Sequence, residues 1–395
     1  MDLPDPKFQE YSVTGCDKVP LHKWFSSTKG YKIPALQTIS DELNKSKHTL
    51  DFSLRKKNWR DITRELYYGE DLRSNHGILV NEYGAQIVTK AWLKIYELIT
   101  KYVPVGRDFY TFHVAEAPGA FLPAINHLVR TKYPDTHWEW FAESYVDYNI
   151  SKEYLGDHYG LIKKFKSKWL LGADGDGDIT SSANIRWFRH HIREHFPKLD
   201  LFTSDVKYDP PDKDYDLEEL YQIPVHVGHT ICALKTLTKG GIAILKTFTY
   251  LESQSVSLLY LICHCFEQVL ITKPIMSSPA NSETYLVCID FLDNVTPAQT
   301  TCLYEYLDHC RANPMKTAPL FSKEDIPQSF IDQVVDVQKS LANRQMGYIK
   351  RQADTIRNYS NFAMVRKDTA ALRNKVARAW IEEYEVEEIT DDKLM

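Results

Sequence analysis

The sequence predicts an α/β protein built on one doubly wound, mostly parallel sheet, with a ligand site along one sheet edge. Short apolar segments alternate with helical ones through the middle of the chain, the pattern of strands joined by crossover helices. The stretch FHVAEAPGAF (Phe112–Phe121) reads as a strand that stops at a Pro-Gly corner and hands over to a helix. Three later segments, LFTSDV, GGIAILKTF and NSETYLVCIDF, each place a charged residue at a strand end. A strand–turn–helix corner leaves backbone N–H groups and the positive end of a helix dipole facing one crevice. Gly119 is expected to let a ligand approach the backbone there, and Pro118 to stiffen the corner.

With 395 residues the chain has room for one large domain with appendages, or for two domains. A formal charge of −5 argues against a globally basic nucleic-acid binder and leaves a local basic groove open. The longest apolar run, Val256–Phe266, is interrupted by His264 and is too short to span a bilayer. The opening MDLPDPKFQEY has no basic-then-apolar signal pattern, so a soluble, cytoplasmic protein is expected. Seven scattered cysteines suit a reducing compartment, and Cys263-His264-Cys265 in an apolar helical run reads as core thiols; no structural zinc is expected.

Residues 1–75 are polar and aromatic-rich, with helical patches and no strong strand signal. The basic run SLRKKNWRDITREL (Ser53–Leu66) reads first as a solvated helix face and second as an RNA-facing edge carrying Trp59. Over Gln86–Lys101, Val88, Trp92, Ile95 and Ile99 recur at helical spacing and form one buried stripe. Lys90, Lys94, Glu97 and Lys101 share another face, which by spacing alone is a salt-bridged surface. The strand Tyr110–Ala115, the corner and a helix over Phe121–Arg130 follow, then a second strand, HWEWFAES (His137–Ser144). Residues 156–182 are irregular. Asp174-Gly-Asp176-Gly-Asp178 opens like a calcium loop, but the twelfth position is the apolar Ile185, which excludes that motif.

A helix with a basic face is expected over Ser182–His195, a strand over Asp200–Val206, and a loop over Lys207–Asp214. Leu217–Thr238 reads as a helix closed by Lys239-Gly240-Gly241. The strand Ile242–Thr247, a helix over Ser253–Gln268, and a closing hairpin of Val269–Pro274 and Thr284–Phe291 complete the sheet. Beyond Asn294 the chain reads as helical, over CLYEYLDHC, Ile326–Asn358 and Ala370–Tyr384, with an acidic end expected to fray. The divisions are an N-terminal extension (1–75), a core domain (76–295) and a helical C-terminal extension (296–395).

Asp205, Lys246 and Glu283 are the candidates to carry chemistry. Singly, an Asp at a strand end is as easily a loop cap, and a Lys there can reach to water. Three charged groups on one edge form a carboxylate–ammonium–carboxylate cluster, costly to desolvate unless mutually paired; such clusters favour active sites, and structural ion networks look similar. There is no Ser/His/Asp spacing, no Gly-Lys-Ser phosphate loop and no zinc motif. A helix N-terminus without a phosphate-gripping loop suits a zwitterionic cofactor, and S-adenosylmethionine is the leading candidate. Methyl transfer to a hydroxyl needs in-line alignment and removal of a proton, which a lysine pushed toward neutrality by a second lysine would accept.

These segments resemble the FtsJ-type (RrmJ-like) RNA 2′-O-methyltransferases, and among them the cap-specific mRNA branch and the proteins of large cytoplasmic DNA viruses of the African swine fever virus type. AQIVTKAWLKIYEL (Ala85–Leu98) is similar to the family's first-lysine helix, and its spacing to EAPGAF points to Lys94. TSDV supplies Asp205, ILKTF supplies Lys246, and KPIMSSPANSETYLV supplies Glu283, completing a Lys–Asp–Lys–Glu tetrad. The resemblance covers about residues 85–291 and implies a Rossmann-like S-adenosylmethionine-dependent methyltransferase sheet, mostly parallel with a closing antiparallel hairpin, flanked by helical extensions. It further implies a cofactor held by Glu116, Ala117, Pro118, Gly119, Ala120, Phe121, Glu143, Asp178 and Asp205, and no metal. The implied partner is RNA, in particular capped mRNA, with other capping enzymes as associates and the host cytoplasm or the virion as the location. Arg186–Arg193 and Arg55–Arg60, with Trp187 and Trp59, are the candidate RNA contacts.

Three departures stand out. The corner lacks the extra glycines of bacterial members, the second strand ends in Glu143-Ser144 rather than the usual ribose-binding Asp, and SDVKYDPP replaces the commoner SDMAPN. The rival readings are a catalytically silent RNA-binding or scaffold subunit, a ribosomal or transfer RNA methyltransferase, and a nicotinamide dehydrogenase; the last lacks G-x-G-x-x-G.

Overall fold

The computed structural model describes residues 8–13, 30–50, 72–146, 156–208, 215–357 and 374–395. Eight strands make one sheet: β1 (Gln9–Val13), β2 (Asp108–Val114), β3 (His137–Glu143), β4 (Trp169–Leu170), β5 (Leu201–Ser204), β6 (Ile242–Thr247), β7 (Phe266–Lys273) and β8 (Thr284–Phe291). Their order across the sheet is β1-β7-β8-β6-β5-β2-β3-β4. Strands β2 to β6 run parallel; β8 enters antiparallel between β6 and β7, and β1 adds an antiparallel edge. The chain winds outward from β2 through β3 and β4, then returns to β2's other side with β5. The crevice of this open sheet therefore lies where β2 and β5 end, at the switch in winding direction.

Register fixes which residues meet at that edge. Ser204 pairs with both Val114 and Leu245, and Lys246 pairs with Tyr285. The residues that follow β2 and β5, the charged end of β6 and the start of β8 are thus brought level.

Helices cover both faces: α1 (Pro34–His48), α2 (Leu72–Tyr83), α3 (Lys90–Tyr102), α4 (Phe121–Lys132), α5 (Ser182–His195), α6 (Glu218–Thr236), α7 (Ser253–Cys265), α8 (Pro297–Ala312), α9 (Gln328–Arg357) and a helix over 374–383. On one face Trp92, Leu122, Ile125 and Trp380 pack against Trp138 and Ile244. On the other, Phe188, Ile231, Leu259 and Phe330 pack against Phe112 and Leu245. Alternate residues of one strand feed opposite layers, as the pleat requires.

Several elements differ from the sequence expectation; within the 156–182 stretch expected to be irregular, Leu161–Lys164 forms a short helix and Trp169–Leu170 pairs with β3 as β4. Strand β1 carries too few apolar residues to announce itself, and its order comes from pairing with β7 along the sheet edge. Helix α7 ends at Cys265 rather than Gln268, because an unbroken apolar run does not by its pattern separate helix from strand; β7 begins at Phe266. The acidic end does not fray. Tyr384, Val386 and Ile389 are buried between outward-facing glutamates, and Ile389 N donates to the Tyr83 carbonyl at 3.1 Å. His127 Nε2 meets the Glu387 carbonyl at 2.8 Å, and Asn126 Nδ2 donates to the Lys393 carbonyl at 2.9 Å. The Cys263-His264-Cys265 run lies buried in α7, as core thiols would.

Glu97 joins this C-terminal segment to α3. Its side chain is fully buried and accepts from Ile275 N at 2.7 Å and from Trp380 Nε1 at 3.2 Å. Burial outweighs those bonds and pushes the carboxyl up to about 7. Because the folded value is the higher one, this group's contribution to stability is full below the unfolded value of 4.5 and is lost as pH rises through about 7. In urea unfolding, the stability difference between wild type and Glu97→Gln should therefore shift by about 2 kcal/mol against wild type between about pH 5 and about pH 7.5. A difference independent of pH would remove the assignment.

Candidate active site

Four charged side chains converge at the sheet edge. Lys94 comes from the middle of α3, Asp205 from the residue after β5, Lys246 from β6, and Glu283 from the residue before β8. Lys94 Nζ donates to Glu283 Oε1. Lys246 Nζ lies 3.5 Å from Glu283 Oε2 and 3.3 Å from Asp205 Oδ1. The signs alternate along a continuous chain, Lys94–Glu283–Lys246–Asp205.

Lys94 is 7% exposed, so the solvated-face reading of α3 fails at both Lys94 and Glu97. Helix α3 is covered on a second side by the residues after β7 and by the 374–383 helix, segments nearly two hundred residues or more away in sequence, which helical spacing cannot report.

The pairing sets the charge states. Burial pushes the Glu283 carboxyl up, but Lys94 and Lys246 outweigh it and hold the group well below the usual carboxylate range. Burial works against the Lys246 ammonium, and Asp205 and Glu283 more than offset it, so Lys246 is held above the ordinary lysine value. The expectation that a second lysine drives Lys246 toward neutrality is thereby corrected: two carboxylates lie within 3.5 Å of its ammonium.

Further residues complete the site. Tyr285 stands two residues on from Glu283, on the same face of the strand, and its hydroxyl donates to Asp205 Oδ1 at 2.9 Å. Ser277 Oγ donates to Glu283 Oε1 at 2.8 Å. Gln222, fully buried in α6, accepts from Tyr208 N at 2.8 Å and donates to the Tyr208 carbonyl, which holds the start of the loop leaving Asp205. Tyr285 is within reach of the two-residue strand period from Glu283; Ser277, in the loop of the hairpin, and Gln222 carry no such signal.

At the corner, Glu116 turns back on the helix that follows it. Its Oε1 accepts from Phe121 N at 2.8 Å and Leu122 N at 3.1 Å, so these first-turn N–H groups of α4 are taken by the chain's own carboxylate rather than left facing the crevice. Gly119 has φ of +104°, and a Cβ there would sit 2.8 Å from Leu161 Cδ1. The end of the Leu161 side chain, from the short helix Leu161–Lys164, occupies the space that a Cβ at Gly119 would fill. The Ala117-Pro118 peptide is cis; Ala120 precedes α4, and Phe121 opens it with a buried ring.

The corner is tied to the second strand and the acidic loop. Ala115 N donates to Glu143 Oε2 at 3.3 Å, and Ala117 N donates to Ser144 Oγ at 2.7 Å. Val146 N donates to the Asp176 carbonyl at 2.7 Å, and Gly177 sits directly against the Ser144 carbonyl. Asp178 accepts from Thr180 N at 2.8 Å through Oδ1 and pairs with Arg311 at 3.0 Å through Oδ2. Arg186 lies with its guanidinium 4.1 Å from the Tyr304 ring centroid, and Trp187 stacks on His191 at 4.7 Å, so both are engaged in packing around α5. Arg55–Arg60 and Trp59 lie outside the described residues.

The sequence pattern of the FtsJ-like methyltransferase family matches residues 87–291. The cap-specific mRNA (nucleoside-2′-O-)-methyltransferase 2 of Drosophila melanogaster is 29% identical over 91% of this chain and 51% of its own length. The probable methyltransferase of African swine fever virus is 32% identical over 60% of this chain and 58% of its own. An uncharacterized protein of Acanthamoeba polyphaga mimivirus is 28% identical over 74% of this chain and 36% of its own. The chain thus spans between about a third and three fifths of the length of these relatives.

S-adenosylmethionine is the cofactor this membership brings, and the donor set fits it. Among the described residues, Glu116 and Glu143 bond backbone N–H groups, and both carboxyls are held well above the usual range, chiefly by burial. Asp205 adds to the effect on Glu116, and Asp178 and Asp176 add to it on Glu143. Carboxyl groups gathered beside the β2–β5 switch, with hydrogen-bonding positions beyond those the backbone N–H groups take, suit a molecule that carries ribose hydroxyls and a cationic centre. A sheet wound about the β2–β5 switch, a tetrad at its edge and a family pattern over just over half of its residues agree: the chain belongs to the FtsJ-like methyltransferase family.

Proposed function

We propose that the chain methylates the 2′-hydroxyl of a ribose in RNA, on the first transcribed nucleotides of a capped mRNA. The observation that carries this reading is the buried alternation Lys94–Glu283–Lys246–Asp205 at the sheet's switch point. The similarity to a cap-specific mRNA methyltransferase across 91% of this chain supports the choice of substrate.

S-adenosylmethionine supplies an electrophilic methyl group on a sulfonium, and the residues of the chain prepare the oxygen that receives it. The hydroxyl proton released in that transfer would pass to Lys246 Nζ. Lys94 directs an N–H at the same oxygen, with its ammonium anchored by Glu283. Asp205, fixed by the Tyr285 hydroxyl, orients Lys246. Glu116, Glu143, Asp178 and Asp205, with the backbone of Ala117–Phe121, form the cofactor side. A positive charge brought close to Asp205 weakens the attraction that keeps Lys246 charged, which readies Lys246 as a base.

Lys246→Ala should lower transfer to a ribose 2′-hydroxyl by about 10³-fold while calorimetric binding of S-adenosylmethionine stays within about threefold; unchanged turnover would end the role given to Lys246. Because Lys246 is held above the ordinary lysine value and acts when neutral, the single-turnover rate should rise with pH from about 6 to about 9. A rate that falls over that range would exclude Lys246 as the base. Capped oligonucleotides should be methylated with at least about tenfold higher kcat/KM than uncapped ones, with the product located by mass spectrometry. Equal values would leave ribose methylation standing and reject the cap; transfer only to ribosomal or transfer RNA would move the substrate within the family.

A further inference from the structure

We infer that Lys273 is a positioning residue of this site: its buried ammonium grips the loop between β7 and β8 and so sets where the Glu283 carboxylate stands between Lys94 and Lys246. The inference rests on the methyl-transfer reading above.

Lys273 is the last residue of β7, where the chain leaves the sheet for the loop that returns at Thr284. It is 7% exposed. Its Nζ donates to the Glu283 carbonyl at 2.7 Å, to Asn281 Oδ1 at 2.9 Å and to the Asn281 carbonyl at 3.0 Å. Three N–H donors thus meet three oxygens, all of them uncharged and all at the end of the loop that precedes β8. Asn281 Oδ1 also accepts from Glu283 N at 3.3 Å, so both backbone groups of Glu283 are fixed through the same two side chains. At the start of the loop, Glu97 holds Ile275 N, and Ser277 Oγ reaches across to Glu283 Oε1. The Glu283 carboxylate is therefore braced from behind by a lysine that bonds none of the tetrad's side chains.

A plain loop closure does not need a charge there, since an apolar side chain of the same length would fill the space at lower desolvation cost. The cost is visible in the group itself. Burial lowers the Lys273 ammonium to about 7; Glu283 opposes that shift, and Lys94 and Arg344 add to it. Keeping a buried lysine under those conditions fits a demand for geometry at Glu283, where misplacement of the reacting groups by about 1 Å costs about 10²-fold in rate.

The test compares the full-length wild type with Lys273→Met, which keeps the stem and removes the donors, and with Asn281→Ala, an exposed loop position whose loss removes one acceptor without touching the core. Lys273→Met should lower kcat by about 10- to 100-fold with KM for RNA and for S-adenosylmethionine within about threefold, and Asn281→Ala should lower kcat by a smaller factor in the same direction. Hydrogen exchange of the backbone amides over 275–283 should speed up in both variants, while amides of the parallel strands stay protected. If Lys273→Met does not fold, Asn281→Ala carries the same comparison. Turnover within about twofold of wild type in both variants, or unchanged exchange over 275–283, would overturn the inference. If the wild type itself transfers no methyl group to RNA, the functional reading fails on its own, and the exchange data still decide whether Lys273 holds Glu283.

Discussion

Glu283 shares its two carboxylate oxygens between two lysines in a place almost closed to water. A lone carboxylate or ammonium there would carry a desolvation penalty of several kcal/mol, and only close mutual pairing offsets it. That requirement constrains the rest of the molecule. Lys246 must end a strand beside β8, Lys94 must be delivered from a helix outside the sheet, and the hairpin must close at one length. Removing a single member does not subtract one contact; it leaves an unpaired charge buried among the others. The four residues act as one unit, and their energetics are not separable into pairwise contributions.

The sheet delivers three of the four directly. Parallel strands buried on both faces end at one edge, and β8, entering antiparallel beside β6, begins at that same edge. Lys94 depends on packing instead. Its helix is held by Glu97, which bonds Ile275 in the hairpin loop and Trp380 near the C-terminal end of the chain. Met395 N donates to Gln86 Oε1 at 2.8 Å, beside the start of the same helix. The C-terminal segment, which falls outside the matched family region, is thus part of what places the first lysine.

Asp205, Lys246 and Glu283 were legible because each breaks an apolar strand pattern at its end, and a charge in such a position requires a reason. The parallel sheet was legible from strand–helix alternation. Lys94 was not legible by periodicity: on α3 it shares a stripe with Lys90 and Lys101, and only contacts from distant segments turn that stripe inward at Lys94 and Glu97. The resemblance supplied Lys94 where spacing gave a surface. The Glu116 carboxylate caps α4; a Glu ahead of a helix can serve a ligand or a cap, and the sequence does not rank them. The packing of Leu161 against Gly119 comes from a segment with no periodic signal. The acidic end escaped for the same reason that β1 did. Each is held by its partner rather than by its own pattern.

Asp205 is where the two sides of the proposed reaction meet. Its carboxylate bonds Tyr285 and Lys246 on the acceptor side, and its charge reaches Glu116 on the cofactor side. On one flank stand lysines suited to a hydroxyl and to an anionic polymer; on the other stand carboxylates suited to a cation. An enzyme that joins a cationic donor to an anionic acceptor has to keep those fields apart and still bring the reacting atoms into line. A single strand-end carboxylate touching both fields lets a positive charge on one side change the basicity of the lysine on the other. In the proposed reaction, arrival of the donor and readiness of the base would be coupled through that one residue.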